Sequence, residues 1–301
     1  MPRFHFITGL PRSGGAVLSA ILNQNPRFHS DMASPVAALF DGILGQLGTG
    51  SEWGEYVDLA KRRDLLLAVM ETCYAGCGRE VVFDASRLWS AKLPLLRELF
   101  PGAKTIALVR NVAWALDSME RLYRANPFEN TRLFASGIES GTVYNRADAL
   151  ARRDHLVGYC WSTLKEAFYS EQADSLLVVD YDLLAQRPRE VVELVYQFLG
   201  EEPFEHDFNN LTTSPREFDR VLGVRGLGKV RPAVSFIPRR SILPPDVFER
   251  YAGFSFWRDA APSLARVVLV QNDRPASEAP DLDLAADAEG VPGLLSSNTR
   301  N

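Results

Sequence analysis

Cysteine and histidine are scarce in this sequence, and long hydrophobic runs are absent. Among 301 residues there are four histidines and three cysteines, Cys73, Cys77 and Cys160. An odd, small number of cysteines does not build a disulfide framework, and Cys73 and Cys77 have no second pair to complete a zinc site. No apolar run approaches the ~18 residues of a membrane span, and the first apolar segment begins at Phe4, which leaves no room for a leader. We therefore expect reduced thiols, a cytoplasmic location, no membrane span and no metal.

Charge is distributed unevenly along the chain. The formal net charge is −5, of which the segment 273–301 contributes −4, with six acidic against two basic residues. This acidic tail is rich in Pro, Asp, Ala and Ser, so we expect it to be disordered and place the folded domain at residues 1–272. The segment Ser214–Ser241 has the opposite sign, with seven basic residues against two acidic ones. This local excess says more about the site than the net charge of the chain does. We expect no nucleic-acid partner, and a homo-oligomer is possible.

Apolar runs alternate with helical patterns over most of the chain. This alternation predicts an α/β fold, a P-loop-like three-layer sandwich with a central parallel sheet flanked by helices. In such sheets, ligands bind beyond the carboxyl ends of the strands. The predicted strands are Phe4–Thr8, Val81–Asp84, Thr105–Val109 and Leu176–Val179. The predicted helices are Gly15–Asn23, Val57–Tyr74, Leu88–Leu99, Val112–Tyr123, Arg146–Ser170 and Arg189–Leu199.

The segment "FITGLPRSGGAV", residues 6–17, has the layout of a phosphate-binding loop between a strand and a helix. Its glycines allow backbone N–H groups to converge on an anion, and Arg12 adds a guanidinium that can grip phosphate oxygens in pairs. The nucleotide-hydrolysing form of this loop needs a lysine and a hydroxyl where Gly15 and Ala16 stand, so magnesium-assisted kinase chemistry is disfavoured. The candidate anion-binding residues of the loop are Pro11, Arg12, Ser13, Gly14, Gly15 and Ala16.

Three later segments supply further candidates. In "TIALVRNVAWALDSMERLYR", Arg110 follows a predicted strand and Ser118 lies about two helical turns on. Tyr181 follows the next strand and could stack on a base. In the basic segment, Lys229 and Arg231 lie near glycines, a pattern that suits a loop closing over phosphate.

Taken together, these segments resemble the sulfotransferases that use 3′-phosphoadenosine-5′-phosphosulfate (PAPS). The likeness spans most of residues 4–236. "GLPRSGGAVLSAILNQNPRF" is similar to the 5′-phosphosulfate loop in the PRSG form of the tyrosylprotein and bacterial branches, "ALVRNVAWALDS" to the 3′-phosphate motif, and "YDLLAQRPREVVELVYQFLG" to the segment that ends in F-L-G.

The resemblance implies a role for each matching residue. Arg12 would contact the 5′-phosphosulfate and stabilise the transferring sulfonyl group, with Ser13 and Gly14 in the same loop. Arg110 and Ser118 would bind the 3′-phosphate, and Tyr181 would lie beside the adenine. Lys229 and Arg231 would form the late basic loop. Sulfonyl transfer needs charge stabilisation and a base but no metal, and it releases adenosine 3′,5′-bisphosphate.

Two departures from the family pattern bear on catalysis. The Ser or Thr side chains that usually follow PRSG are replaced by Gly15 and Ala16, and the acidic base of the tyrosylprotein branch falls at Ala33. The remaining candidates for the base are Asp31, Asp84 and His29. We favour Asp84 because it ends a predicted strand beside the site, although a helix cap explains it equally well.

The sequence therefore predicts a PAPS-dependent sulfotransferase acting on a hydroxyl or amine. A non-catalytic PAPS- or nucleotide-binding relative is the alternative, and a P-loop kinase is less favoured. The acceptor stays open among small molecules, saccharides, lipids and peptides. Its pocket is expected in Phe28–Gly50 and in the polar insertion Ala125–Asn145.

Overall fold

Parallel strands at the centre of the protein organise the fold. The computed structural model describes residues 2–48, 50–126, 128, 133–212, 219 and 225–269, so the predicted tail at 273–301 lies outside the described residues. The strands in the described ranges are β1 (Arg3–Gly9), β2 (Phe28–Ser30), β3 (Val81–Ala85), β4 (Thr105–Val109), β5 (Leu176–Asp180) and β6 (Arg266–Val268). In these ranges they form one six-stranded sheet in the order β2-β3-β1-β4-β5-β6, and every neighbouring pair is parallel.

Helices connect the strands. They are α1 (Gly15–Leu22), α2 (Val36–Leu47), α3 (Leu59–Cys73), α4 (Leu93–Leu99), α5 (Val112–Ala125), α6 (Gly137–Gly141), α7 (Val143–Ala151), α8 (Leu156–Phe168), α9 (Tyr181–Gln186), α10 (Pro188–Leu199) and α11 (Pro245–Ala252). Short 3₁₀ helices lie at Arg87–Lys92, Ala173–Ser175 and Phe256–Arg258.

The sheet is buried on both faces, which is why its central strands are mostly apolar. Successive residues of a strand point to opposite faces. On β4, Ile106 and Leu108 join a core with α1 and α10, whereas Ala107 and Val109 join one with α5, α7 and α8. A third core packs α2, α3 and α4 against β1 and β3. The three-layer α/β sandwich predicted from the sequence is confirmed.

The predicted elements differ from the observed ones mainly in short or interrupted segments. The expected helix Arg146–Ser170 is two helices, α7 and α8, separated at residues 152–155. The segment Phe28–Gly50, expected as an acceptor loop, contains β2 and α2. Within Ala125–Asn145 the structure describes α6 and the start of α7, while residues 127 and 129–132 lie outside the described residues. No helix in the described ranges is long and apolar enough to cross a membrane.

The connections after β1 and β4 leave the sheet in opposite directions, because β1 leads to β2 on one side and β4 leads to β5 on the other. This divergence opens a crevice at the carboxyl ends of the two strands. Gly9, the last residue of β1, lies at the base of this crevice with a left-handed φ of 123°. A Cβ there would lie 2.1 Å from the backbone oxygen of Leu108. Only glycine therefore lets β1 end this close to β4.

We predict that Gly9→Ala lowers the free energy of unfolding by about 2–4 kcal/mol, because the new methyl group overlaps Leu108 and the backbone is left-handed. Urea unfolding followed by circular dichroism measures the change. Gly15→Ala is the matched control, since a Cβ at Gly15 meets no atom within 4 Å. It should leave stability unchanged or raise it by up to about 1 kcal/mol. Equal unfolding midpoints in the two variants would contradict the close approach at Gly9.

Candidate active site

The loop between β1 and α1 presents backbone N–H groups to the crevice. Arg12 and Gly14 have left-handed backbones, with φ of 61° and 92°, which turns the chain sharply before α1. Gly14 occupies the N-cap of α1 without a side-chain hydrogen bond to the helix. The first N–H groups of α1 are thus free of a capping side chain and lie at the positive end of the helix dipole, an arrangement that favours an anion.

The other loop residues leave space at the helix start. Ser13 is buried, with its Oγ 3.5 Å from the carbonyl oxygen of Pro11. Gly15 has open space where a side chain would be, and Ala16 follows it on the first turn of α1. The absence of bulk at these positions leaves room for a ligand directly over the helix N-terminus.

Arg12 joins this loop to two distant segments. Its Nε donates to Ser118 Oγ on α5 over 3.1 Å, and its Nη1 donates to the carbonyl oxygen of Leu227. Burial lowers the pKa of Arg12, and the nearby positive charges of Arg239 and Arg110 lower it further, against the opposing effects of Tyr181 and Asp219. Arg12 therefore lies in a desolvated place with two further arginines near it.

Arg110 and Tyr181 meet beside the same loop. The Arg110 guanidinium lies 4.8 Å from the centroid of the Tyr181 ring and forms a 3.2 Å ion pair with Asp182. The Tyr181 ring covers Gly14 so closely that a Cβ there would lie 2.4 Å from Tyr181 Cδ2. Arg110 Nε is buried and has no hydrogen-bond partner among the described residues. This unsatisfied donor is what an anionic ligand would satisfy.

A third arginine, which the sequence reasoning missed, completes the cluster. Arg239 lies 5.6 Å from the Trp114 ring centroid, and Arg110 lies 5.8 Å from the same ring. Arg239 Nη2 is held 2.9 Å from Asp117 Oδ2. Burial lowers the pKa of Arg239; Asp117 raises it, and Arg110 and Arg121 lower it. We call Arg12, Arg110 and Arg239 the arginine cluster.

The late basic residues predicted from the sequence lie on an exposed turn. Lys229 and Arg231 are both exposed. The segment nevertheless reaches the site through its backbone, since Leu227 accepts the hydrogen bond from Arg12. Asp219 stabilises this turn by accepting from Gly226 N over 2.7 Å and from Gly228 N over 2.6 Å.

Asp84 lies on β3, which is on the opposite side of β1 from β4. It is 0% exposed, and its two oxygens accept hydrogen bonds from Tyr74 Oη over 2.6 Å and from Trp89 Nε1 over 2.7 Å. Burial raises the pKa of Asp84, while hydrogen bonds from Ser34, Tyr74 and Trp89 oppose the shift. Both oxygens of the carboxylate thus already accept hydrogen bonds from the protein.

Asp31 and His29 form a separate, more exposed pair at the end of β2. His29 Nε2 and Asp31 Oδ2 are 2.9 Å apart, and the Asp31 side chain is 54% exposed. The His29 ring packs edge-on against Tyr74, with centroids 5.6 Å apart. Because Tyr74 also binds Asp84, the buried carboxylate supports the exposed pair. No group of three or more potential metal ligands occurs in the described residues.

One known protein family matches this chain in sequence. The sequence model of the sulfotransferase family matches residues 5–206. No curated protein matches the sequence. Among solved structures, the sulfotransferase domain of the Synechococcus PCC 7002 olefin synthase has 20% identity and a TM-score of 0.48, covering 82% of this chain and 93% of that one. A sulfotransferase from Alicyclobacillus acidocaldarius has 18% identity and a TM-score of 0.47, covering 73% and 90%. The sulfotransferase domain from the curacin biosynthetic pathway has 16% identity and a TM-score of 0.45, covering 83% and 90%.

We predict that the pKa of His29 lies above 6.5, because the hydrogen bond with Asp31 outweighs the opposing effect of burial. The His29–Asp31 pair then stabilises the folded protein fully below pH 6.5. This stabilisation is lost as the pH rises through the raised pKa of His29. NMR titration of the histidine rings measures this directly. His5 and His206 are internal references, since burial lowers the pKa of each to about 4. In Asp31→Asn the His29 value should fall while both references stay constant; an unchanged His29 pKa would show that the pair does not form.

Proposed function

We propose that this chain, which belongs to the sulfotransferase family, transfers a sulfonyl group from PAPS to a hydroxyl or amine acceptor. The observation that carries the proposal is the arginine cluster around a glycine-rich strand–helix loop, with Arg110 Nε left unsatisfied. Three guanidiniums with mutually repelling charges are stabilised by a multiply charged anion. PAPS has that character, with a phosphosulfate at one end and a 3′-phosphate at the other.

The side chains divide between the two ends of such a ligand. The N–H groups of the loop, together with Ser13 and Arg12, would bind the 5′-phosphosulfate. Arg110, Arg239 and Ser118 would bind the 3′-phosphate, and Tyr181 would lie against the adenine. When bound, PAPS supplies a sulfonyl group on a phosphate that can leave as adenosine 3′,5′-bisphosphate. Arg12 then exchanges its internal acceptors, Ser118 and Leu227, for anionic oxygens and stabilises charge in the transition state.

Asp31 is our candidate for the general base. It lies at the carboxyl end of β2 and is exposed, whereas Asp84 is enclosed by Tyr74 and Trp89. A base must reach the proton that it removes, so accessibility favours Asp31 although the sequence favoured Asp84. We assign Asp84 a positioning role: it holds Tyr74, on which His29 packs, and His29 in turn orients Asp31.

One feature favours a second function. Gly15 and Ala16 supply no hydroxyl to the 5′-phosphate, and each missing hydrogen bond to a charged group removes roughly 1.5–3 kcal/mol of binding. A relative that binds PAPS or its bisphosphate product without turnover fits this loop. Turnover with any hydroxyl or amine acceptor separates the two functions, since both require the ligand to bind.

We predict that adenosine 3′,5′-bisphosphate binds with micromolar affinity and that Arg110→Ala and Arg239→Ala each weaken binding about 10- to 100-fold. The reason is the loss of charge-assisted hydrogen bonds to phosphate, worth roughly 1.5–3 kcal/mol each. Isothermal titration calorimetry measures the dissociation constants. Arg97→Ala is the matched control, because Arg97 is an exposed arginine of α4 that pairs with Asp174.

The outcomes separate the possibilities. Binding that survives both cluster substitutions would place the ligand elsewhere on the protein. No binding by the unaltered protein would remove PAPS as the donor, and preferential binding of ATP with magnesium would favour kinase chemistry instead.

We also predict that Asp31→Asn lowers kcat about 10²- to 10⁴-fold, the usual contribution of a general base, and leaves bisphosphate affinity unchanged. Turnover is followed as bisphosphate release from PAPS with an acceptor found by screening phenols, alcohols and amines. Asp84→Asn should lower the free energy of unfolding, because Trp89 Nε1 or Tyr74 Oη loses its carboxyl partner. If Asp31→Asn keeps full activity while Asp84→Asn loses it without unfolding, the base is Asp84.

A further inference from the structure

Trp114 lies on the first turn of α5 and contacts two members of the arginine cluster. The guanidinium carbon of Arg110 lies 5.8 Å from the centroid of the Trp114 ring, and that of Arg239 lies 5.6 Å from it. Arg110 follows β4, whereas Arg239 comes from the segment before α11. The indole is therefore a common contact of two cations that belong to separate segments of the chain.

The ring of Trp114 is held in place by α11. The Phe248 ring packs edge-on against it, with centroids 5.1 Å apart. The N-cap of α5, Asn111, donates through Nδ2 to the carbonyl oxygen of Ala252 over 2.8 Å, which joins the start of α5 to the end of α11. The contact between these two helices therefore fixes the indole beside the arginines.

The same helix also supplies the acid that binds Arg239. Asp117 comes three residues after Trp114, and residues at this spacing are neighbours on a helix surface. Asp117 Oδ2 lies 2.9 Å from Arg239 Nη2, so the carboxylate and the indole hold this guanidinium at two points. Arg110 directly precedes the N-cap of α5. One helix thus determines where both guanidiniums lie.

The indole contact stabilises two cations that repel each other. Burial lowers the pKa of Arg239, and the positive charge of Arg110 lowers it further, while Asp117 raises it. The faces of an indole carry negative charge density and attract cations within about 6 Å. Such a contact occupies no N–H donor, so the guanidiniums keep donors for a ligand. Arg110 Nε is one of these, since it is buried and has no hydrogen-bond partner in the described part of the chain.

We propose that Trp114 is a positioning residue that makes the site selective for a nucleotide with a 3′-phosphate. It holds Arg110 and Arg239 at the separation at which both bind that phosphate. A phosphate monoester has three acceptor oxygens and a charge of about −1.5 to −2 at pH 7, which suits two guanidiniums. A 3′-hydroxyl is uncharged and leaves the two cations facing each other. This inference rests on the proposed function, and it assigns the selectivity to a residue that acts through the arginines.

The test compares adenosine 3′,5′-bisphosphate with adenosine 5′-monophosphate, which differ only in the 3′-phosphate. Isothermal titration calorimetry measures the bisphosphate directly and the monophosphate by displacement, and the ratio of the two dissociation constants is the 3′-phosphate preference. We expect a preference of about 100-fold in the unaltered protein, because the monophosphate lacks the charge-assisted hydrogen bonds to two arginines. Trp114→Leu and Trp114→Met should each lower it about 10-fold by weakening the bisphosphate alone. Trp114→Phe keeps an aromatic face and should lower it less.

Phe248→Leu is the matched control. It removes the same ring–ring contact between α5 and α11 but keeps the indole against both arginines, so the preference should stay intact. Unfolding curves followed by circular dichroism identify the folded variants. Trp114→Leu and Trp114→Met differ in side-chain shape, and either one, once folded, decides the question.

Three results would overturn the inference: no preference in the unaltered protein, an unchanged preference in a folded Trp114→Leu or Trp114→Met, and equal weakening of both nucleotides, which indicates a structural role only. An equal loss of preference in Phe248→Leu would also overturn it, because helix packing would then be responsible. These results leave bisphosphate binding by the unaltered protein, and with it the proposed function, intact. Failure of the unaltered protein to bind either nucleotide would overturn the proposed function and this inference together.

Discussion

Asp117 accepts contacts from two arginines and from the backbone of a segment more than a hundred residues away, although its side chain is completely buried. Arg121 Nε and Arg239 Nη2 each lie 2.9 Å from Asp117 Oδ2, and Ile242 N donates to Oδ1 over 2.7 Å. A buried carboxylate is tolerated only when its hydrogen-bonding capacity is filled in this way, and losing a partner leaves a costly uncompensated charge. The next residue of α5 is Ser118, which contacts Arg12. One carboxylate therefore fixes the relative positions of the glycine-rich loop, α5 and the segment that carries Arg239.

The arginine cluster links ligand binding to stability. Holding Arg12, Arg110 and Arg239 close together raises the free energy of the folded protein, since their charges repel in a partly buried place. An anion that enters the cluster relieves this repulsion and binds only the folded chain, so it shifts the folding equilibrium as well as occupying the site. The acids in contact with the cluster, Asp182 and Asp117, each engage one arginine of it and do not replace such an anion.

How much the sequence predicts depends on how local the signal is. β4 and β5 are buried at every position and, apart from Thr105 and Asp180, consist of apolar residues, because both faces of the sheet are covered. Such runs are recognisable in a sequence. β2 and β6 have three residues each and include His29 and Arg266, which gives no readable period.

The rule that ligands lie at carboxyl strand ends was enough to bring Arg12, Arg110 and Tyr181 together. This rule did not predict Arg239 and Trp114, because their approach depends on the contact of Arg239 with Asp117. Such a tertiary contact leaves no local pattern in the sequence. Lys229 and Arg231 were predicted from charge and neighbouring glycines, and their part in binding stays a prediction.

The open space at Gly15 has an evolutionary consequence. At Gly9 the backbone of Leu108 occupies the space that a side chain would need, so any replacement requires other positions to change as well. Gly15 has no such restriction, because a Cβ there meets no atom within 4 Å. A hydroxyl-bearing residue can thus arise by a single substitution without compensating changes. At Gly15, therefore, one substitution is enough to return a hydroxyl to the loop on the same scaffold.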